Sequence, residues 1–477
     1  MYIHLSGDER FLTPACAIKP DCPRLYKAKI ETLLHKYGGS IPRYTSYPTA
    51  LHFDANVTAC TYRSWLSKTD FRKPLSLYLH IPFCEQLCSY CGCHTTVVHH
   101  RSPITDYVDH LISEILTVAE AIGAPASVSS VHFGGGTPNI LSSDDLDRIF
   151  CALRRSFDFS EQVGIAAELD PRILTTEWIA AAARNGLTRA SLGVQDVDSQ
   201  VQSAINRVQP WRATAWAAKA LREAGVKSLN LDLMYGLPRQ TVATIRQSVE
   251  KVLELEPERI ALFGYAHVPW MKPNQKLISE TELPGSIERY DQQEEAADFL
   301  TRSGYIRVGL DHFSRSDDPL AIAMINGFLH RNFQGYTTDS AETLIGFGSS
   351  AISRLPFGYA QNAVRTTEWR ATVAGGRLGT VRGFALSRDD RWRAEVIERL
   401  MCYEAVDLGE VAGRHRLQIN DVLPEPRSLA PLVADGLAVL NGSRLRVTQT
   451  GRLFVRRVCA LFDRYLQTSE ARHSAVI

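Results

Sequence analysis

Between residues 75 and 265, six short β-prone runs alternate with helical stretches, and this alternation restricts the fold more than any other feature of the chain. The runs are LSLYLHI (75–81), SVHFGG (130–135), GIAAEL (164–169), RASLGV (189–194), SLNLDLMYG (228–236) and RIALFGY (259–265). Helical patterning falls at about 105–121, 142–157 and 176–185, then in one long stretch to 224, and again at 241–255. Consecutive strands joined by crossover helices run parallel. The expected fold is therefore α/β, a partial TIM-like (β/α)6 barrel. Such barrels place their chemistry at the C-terminal ends of the strands. Each run here hands on to a chemically loaded loop: four cysteines, then GGGTP, then Glu168 and Asp170, then Gln195 and Asp196, then Asp232, then YAHVP.

The first of these loops reads Cys84-Glu-Gln-Leu-Cys88-Ser-Tyr-Cys91-Gly-Cys93. Three thiolates on one short loop suit a four-iron cluster and leave one iron without a protein ligand, open to chelate a small molecule. Structural zinc usually takes two separated cysteine or histidine pairs, and no second pair follows at matching distance. The motif alone leaves Cys93 as a fourth ligand, a reactive thiol or a small buried residue.

Outside the barrel the patterns change. Residues 1–72 show weak periodicity, with two isolated cysteines and a Tyr-, Thr- and Pro-rich stretch, PRYTSYPTA (42–50), expected to be extended. They are read as an N-terminal arm packed over a barrel of residues 73–375. Residues 376–477 read as a small, mostly helical or winged-helix-like C-terminal domain. It has helices near 389–402 and 428–436, a hairpin turning at Asn441-Gly442, and a last helix over 451–465.

Composition narrows the function. The net charge is +1, from 53 basic and 52 acidic side chains, so no global field draws the chain onto nucleic acid. No run of about 18 apolar residues predicts a membrane span, and the N-terminus lacks the pattern of a secretory signal. Four of ten cysteines fall within ten residues, which is metal or redox patterning rather than a disulfide framework. A cytoplasmic enzyme is expected.

With cysteines after the first strand and GGGTP after the second, the chain resembles the radical S-adenosylmethionine superfamily. The segments PRYTSYPTA, SLYLHIPFC, HFGGGTPN, ELDPR, SLGVQD, NLDLMYGLP, HRNFQGYTT and AQN resemble, within it, the oxygen-independent coproporphyrinogen III oxidases. The resemblance implies a radical-SAM barrel and a [4Fe–4S] cluster on Cys84, Cys88 and Cys91, with Cys93 as a non-ligating fourth cysteine. It also implies two S-adenosylmethionine molecules. Gly135, Gly136 and Thr137 would line the methionine end. Tyr78, Glu168 and Ile352 match positions around the first molecule; Tyr90, Gln195, Arg207, Asp232 and Ala266 match positions around the second. Cys93 and Tyr90 are the expected catalytic residues.

The implied substrate, coproporphyrinogen III, carries four propionates, so its site must present cations or backbone amides. Arg43 and Tyr44 on the arm, and His330 and Arg331, are the candidates. A reductant protein such as flavodoxin or ferredoxin is the implied partner, and a monomer the implied state. The loop YAHVPWMKPNQ (265–275) departs from the pattern of many members. The rival reading is the related haem chaperone, in which the position of Cys93 is typically aromatic and the arm is missing. A radical enzyme that opens or methylates haem is a second rival, against which HRNFQGY and the arm argue.

Overall fold

The six β-prone runs form six consecutive parallel strands in the computed structural model, which describes residues 23–466. They are β1 (Leu75–Ile81), β2 (Ser127–Gly135), β3 (Asp158–Leu169), β4 (Arg189–Gln195), β5 (Ser228–Tyr235) and β6 (Arg259–Gly264). Each pairs in parallel with the next. In β1 both faces are covered: Leu75, Leu77, Leu79 and Ile81 are buried on one, Ser76 and His80 on the other. That is how a strand reads when helices close the outer face of a parallel sheet.

Five crossover helices supply that cover: α1 (Ser102–Ile122), α2 (Ser143–Ser156), α3 (Thr176–Arg184), α4 (Trp211–Glu223) and α5 (Val242–Leu253). Side-chain caps fix where several of them begin. Ser142 and Asp145 form a capping box before α2, and Thr241 and Thr244 form one before α5. The long helix expected to reach 224 is two helices, Ser199–Ala204 and α4. Asn206 takes a left-handed conformation (φ 51°) and Pro210 caps α4, so the chain turns between them and presents Arg207.

The sheet grows beyond the six strands. Further strands are β7 (Ile306–Val308), β8 (His312–Ser314), β9 (Thr343–Phe347), β10 (Ile352–Leu355), β11 (Gly358–Asn362) and β12 (Thr380–Ala385). The order is β12-β11-β10-β9-β1-β2-β3-β4-β5-β6-β8-β7, which has two free ends, as a partial barrel requires. β9 pairs in parallel with β1 as a seventh parallel strand; the additions beyond it and beyond β6 are antiparallel. Glu114 pins α1 to this extension. Buried to 2% exposure, it accepts hydrogen bonds from Gly348 N (2.7 Å), Asn362 Nδ2 (2.7 Å) and Trp369 Nε1 (3.1 Å). Burial still raises its carboxyl to about 7.

Parts of the arm are helical, where the sequence shows only weak periodicity. Helices Pro23–Tyr37 and Ala59–Lys68 flank the stretch 41–49, which stays non-helical. The arm's first residues, with Cys16 and Cys22, lie outside the described part. Lys36 and Tyr37 reach Asp435, and the Tyr44 hydroxyl reaches Asp463, so the arm joins the C-terminal region. That region carries helices Arg388–Tyr403, Leu408–His415 and Pro426–Ala434 against a three-stranded sheet. Its hairpin turns at Asn441-Gly442, where Gly442 supplies a positive φ of 59°. The expected helix over 451–465 is instead Val455–Cys459 between two 3-10 turns. Beyond it the chain is drawn to the arm, where Arg464 N donates to the Tyr47 hydroxyl at 3.1 Å. No helix among the described residues is long and apolar enough to cross a membrane.

Candidate active site

The cysteine loop leaves the C-terminal end of β1 and is held open by its surroundings. Cys84 lies on a two-residue strand, Phe83–Cys84, paired with Thr96–Val97, and its Sγ accepts from Thr95 Oγ1 at 3.2 Å. Cys88 is buried, with Arg207 Nη1 at 3.7 Å and Arg172 Nη2 at 3.9 Å from its sulfur. Asp170 balances both arginines, at 2.6 Å from Arg172 and 3.3 Å from Arg207. Burial opposes ionisation of Asp170, but the two guanidinium groups hold it below its ordinary value. The Cys91 sulfur accepts from Cys93 N at 3.4 Å. A hydrogen bond from the Cys93 thiol brings Cys91 down to about 6, and that thiol bond, with burial, pushes Cys93 up.

These residues fit an iron–sulfur cluster better than a single ion. Among the described residues no three histidine, cysteine or carboxylate side chains converge closely enough to hold one metal ion. A cube of four irons needs its thiolates spread more widely. Two guanidinium groups lie beside the Cys88 sulfur, and buried Arg172 Nη1 and Arg207 Nε have no hydrogen-bond partner in the protein. Beside Cys84 and Thr137 opens a cleft of about 420 Å3, also lined by Asp170, Arg172 and Arg212, a size that suits a small ligand.

The loop's backbone is clamped from across the barrel. Asn274 Nδ2 lies 3.2, 3.1 and 3.0 Å from the carbonyls of Cys88, Ser89 and Cys91. Gln275 Nε2 bonds the carbonyls of Tyr90 and Ala266, and Lys272 Nζ that of Cys93. All three belong to the loop after β6 that looked like a departure from pattern. Its Lys272-Pro273-Asn274-Gln275 run was the only sequence signal of this role.

The glycine run also has a task within the protein itself. Gly136 N donates to Ile81 O and Thr137 N to Phe83 O, at 2.8 and 2.9 Å. A Cβ on Gly136 would lie 2.4 Å from Phe83 O, and one on Gly135 2.8 Å from Ile81 O. These glycines therefore permit close approach to the cysteine strand itself. The preceding Gly134 faces the Tyr78 hydroxyl and Glu168, each 3.1 Å from where its Cβ would stand. Gly134 was missed by sequence reasoning.

Two groups of the expected residues are brought together. Tyr78 and Glu168 meet over Gly134, with His132 Nε2 3.1 Å from Glu168. Burial works against the Glu168 carboxylate, and His132 overcomes it, so the group titrates below its ordinary value. Ile352 lies against Gly346, the register partner of Tyr78. On the other side, Arg207 Nη2 donates to Gly193 O at 2.8 Å, and Gln195, left-handed at φ 68°, closes over the same glycine. Asp232 accepts from Ser191 (2.9 Å) and Asn230 (2.7 Å); burial raises it to about 6. Tyr90 packs beside Val201, Ile205 and Tyr265. Among the substrate candidates, the Tyr44 hydroxyl is taken by Asp463 and His330 by Glu398, whereas Arg43 reaches Gly264 O at 3.0 Å.

The radical SAM superfamily profile matches residues 78–252, and the HemN C-terminal domain profile matches 386–454. A curated relative from Bradyrhizobium diazoefficiens, an oxygen-independent coproporphyrinogen III oxidase, is 45% identical across 92% of this chain and 97% of its own length. The chain belongs to the oxygen-independent coproporphyrinogen III oxidase family. The family member from Escherichia coli is 39% identical over 91% of this chain and 95% of its own. The solved structure of Escherichia coli coproporphyrinogen III oxidase (HemN), described as a radical SAM enzyme, superposes with a TM-score of 0.85 and 39% identity. It covers 89% of this chain and 98% of that one. As in the rest of this oxidase family and its superfamily, the cofactors are a [4Fe–4S] cluster and S-adenosylmethionine.

Proposed function

We propose that this chain converts coproporphyrinogen III to protoporphyrinogen IX without oxygen. Each of two propionates loses a β-hydrogen atom, CO2 and one electron, and becomes a vinyl group. The observation that carries this reading is the cysteine loop at the mouth of the barrel, in a chain 45% identical to an oxidase of that name. Cys84, Cys88 and Cys91 hold the cluster, which when bound supplies the electron that splits S-adenosylmethionine into methionine and a 5′-deoxyadenosyl radical.

The protein's own residues position, balance charge and exclude water. Gly135, Gly136 and Thr137, with Tyr78, Glu168 and Ile352, line a first S-adenosylmethionine site. Glu168 is ionised there to receive ammonium or hydroxyl donors. Tyr90, Gln195, Arg207, Asp232 and Ala266 line a second, where Arg207 offers a guanidinium to a carboxylate. Cys93 is left free of iron and acts beside the substrate, with Tyr90 next to it. Residues 1–72 are the arm, 73–375 the barrel and 376–477 the C-terminal domain, and the described parts of the first and last join each other beside the barrel. The eight cysteines among the described residues are all free, which supports a reducing, cytoplasmic setting. A small redox protein such as flavodoxin or ferredoxin delivers electrons, and the chain acts as a monomer.

The test is an anaerobic assay of reconstituted protein with coproporphyrinogen III, S-adenosylmethionine and a reductant, read as vinyl product by chromatography. Stoichiometric haem binding with no vinyl product would overturn the oxidase reading and favour a haem chaperone.

A further inference from the structure

At the C-terminal end of β6, three arginines from distant parts of the chain converge around a single counter-charge, Asp311. Arg43 comes from the arm and donates to Gly264 O at 3.0 Å. Arg289, on the helix Ser286–Arg302, donates to the next carbonyl, Tyr265 O, at 2.6 Å. Arg331, on the hairpin strand His330–Asn332, lies over the Tyr336 ring at 4.5 Å. That ring packs on His312 at 5.3 Å, and His312 on Phe263, the neighbour of Gly264. Nε and Nη1 of Arg331 and Nε of Arg289 are buried with no hydrogen-bond partner.

Among the described residues none of the three forms an ion pair. One carboxylate, Asp311, hydrogen-bonds His312 at 2.7 Å and its charge also acts on Arg43 and Arg331, so the cations share it and outnumber it. Burial and each other's charge hold Arg43 and Arg289 below the ordinary guanidinium range, and a fourth arginine, Arg456, adds to the field. Unbalanced cations in a poorly hydrated place are costly, and such costs persist where a ligand removes them.

We infer that Arg43, Arg289 and Arg331 form the anchoring site for the carboxylates of the tetrapyrrole that survive the reaction. This rests on the function proposed above. The cysteine loop leaves β1, whereas the three arginines gather at the end of β6, the last strand of the parallel series. Propionates held by the arginines lie toward the end of β6, which meets the cysteine loop through Tyr90, and the reacting ones are left to face the sulfurs. A macrocycle that has lost one of four carboxylates keeps its anchor through the second decarboxylation.

The inference is tested by fluorescence titration of the holoenzyme with three non-reacting porphyrins: coproporphyrin III, its tetramethyl ester, and protoporphyrin IX, which retains only two propionates. Arg289→Gln and Arg331→Gln are each expected to weaken both free acids roughly tenfold, the scale of a lost charge-assisted contact, and to leave the ester unchanged. Arg331→Lys should recover part of the loss, and the cluster's visible absorption should not change. Equal weakening of acid and ester, or no weakening, would overturn the site. Loss with coproporphyrin III but not protoporphyrin IX would assign the arginines to the reacting propionates and overturn the inference as stated. Wild-type protein that shows the arginine dependence yet forms no vinyl product would sink the activity alone. Vinyl formation with variants that bind as wild type would sink the anchor alone.

Discussion

Cations crowd both ends of the parallel strand series, but they are balanced at one end and unbalanced at the other. Beside the cysteine loop, Asp170 bridges Arg172 and Arg207, and three side chains from one loop fasten the backbone. Beyond β6, Arg43, Arg289 and Arg331 gather with no ion pair of their own among the described residues, and Asp311, whose charge acts on two of them, also meets His312. A resident group that never leaves can be met by charges already balanced within the protein. A substrate that brings its own charge is met best by a site that lacks it.

Removing the resident group's anchors should have the largest effect. Cys84→Ala, Cys88→Ala or Cys91→Ala is expected to abolish turnover together with cluster absorption and bound iron. Cys93→Ala should abolish turnover with iron content near normal; lost iron would make it a ligand. Iron analysis separates the two outcomes.

The balance itself breaks next. Asp170→Asn leaves two largely buried guanidinium groups without their carboxylate and should cost about 3–5 kcal/mol in chemical unfolding. A cost below about 1 kcal/mol would mean that this end is no better balanced than the other.

Glu114 sharpens the comparison, because it is a buried charge that hydrogen bonds alone support. Its carboxyl is raised from 4.5 to about 7, so the folded state binds the proton more tightly than the unfolded chain. The stability this contributes is fully present below pH 4.5 and is lost as pH rises to about 7. Over that range wild type should lose about 3 kcal/mol relative to Glu114→Gln, because each tenfold difference in proton affinity is worth about 1.36 kcal/mol. Urea unfolding at a series of pH values measures it, and a pH-independent difference would refute it.

Asn274→Ala is the mildest of these. The two amide hydrogens are shared among three carbonyls, so about 1–2 kcal/mol should be lost. Cluster reconstitution should slow, as followed by absorbance, while final iron content recovers. A normal rate would show that the clamp does not order the loop.

Much of the fold was legible in the sequence, because the strand runs are short, apolar and regularly interrupted. LSLYLHI coincides with β1, and each of the other five runs falls within or within a residue of its strand. β9 was not legible: TLIGF is five residues long and follows two three-residue strands, His330–Asn332 and Gly335–Thr337, rather than a helix. The cysteines were legible as a motif, but what surrounds them was not, since a clamp between residues 88 and 274 has no local signature. Arg289 was hidden for another reason. In SIERYDQQEEAADFLTR it looks like one charge on a solvated helix face, and only the fold turns it inward.

The clamp also sets an order of events in the life of the molecule. The carbonyls of Cys88, Ser89 and Cys91 lie 183 to 186 residues before the asparagine that holds them. A ribosome releases the cysteines long before it makes that partner. The loop therefore takes its final shape only after β6 has emerged and docked, and iron and sulfide delivered earlier meet an unfinished receptacle. Assembly of the cluster belongs after synthesis of the barrel, as a maturation step on an already folded chain.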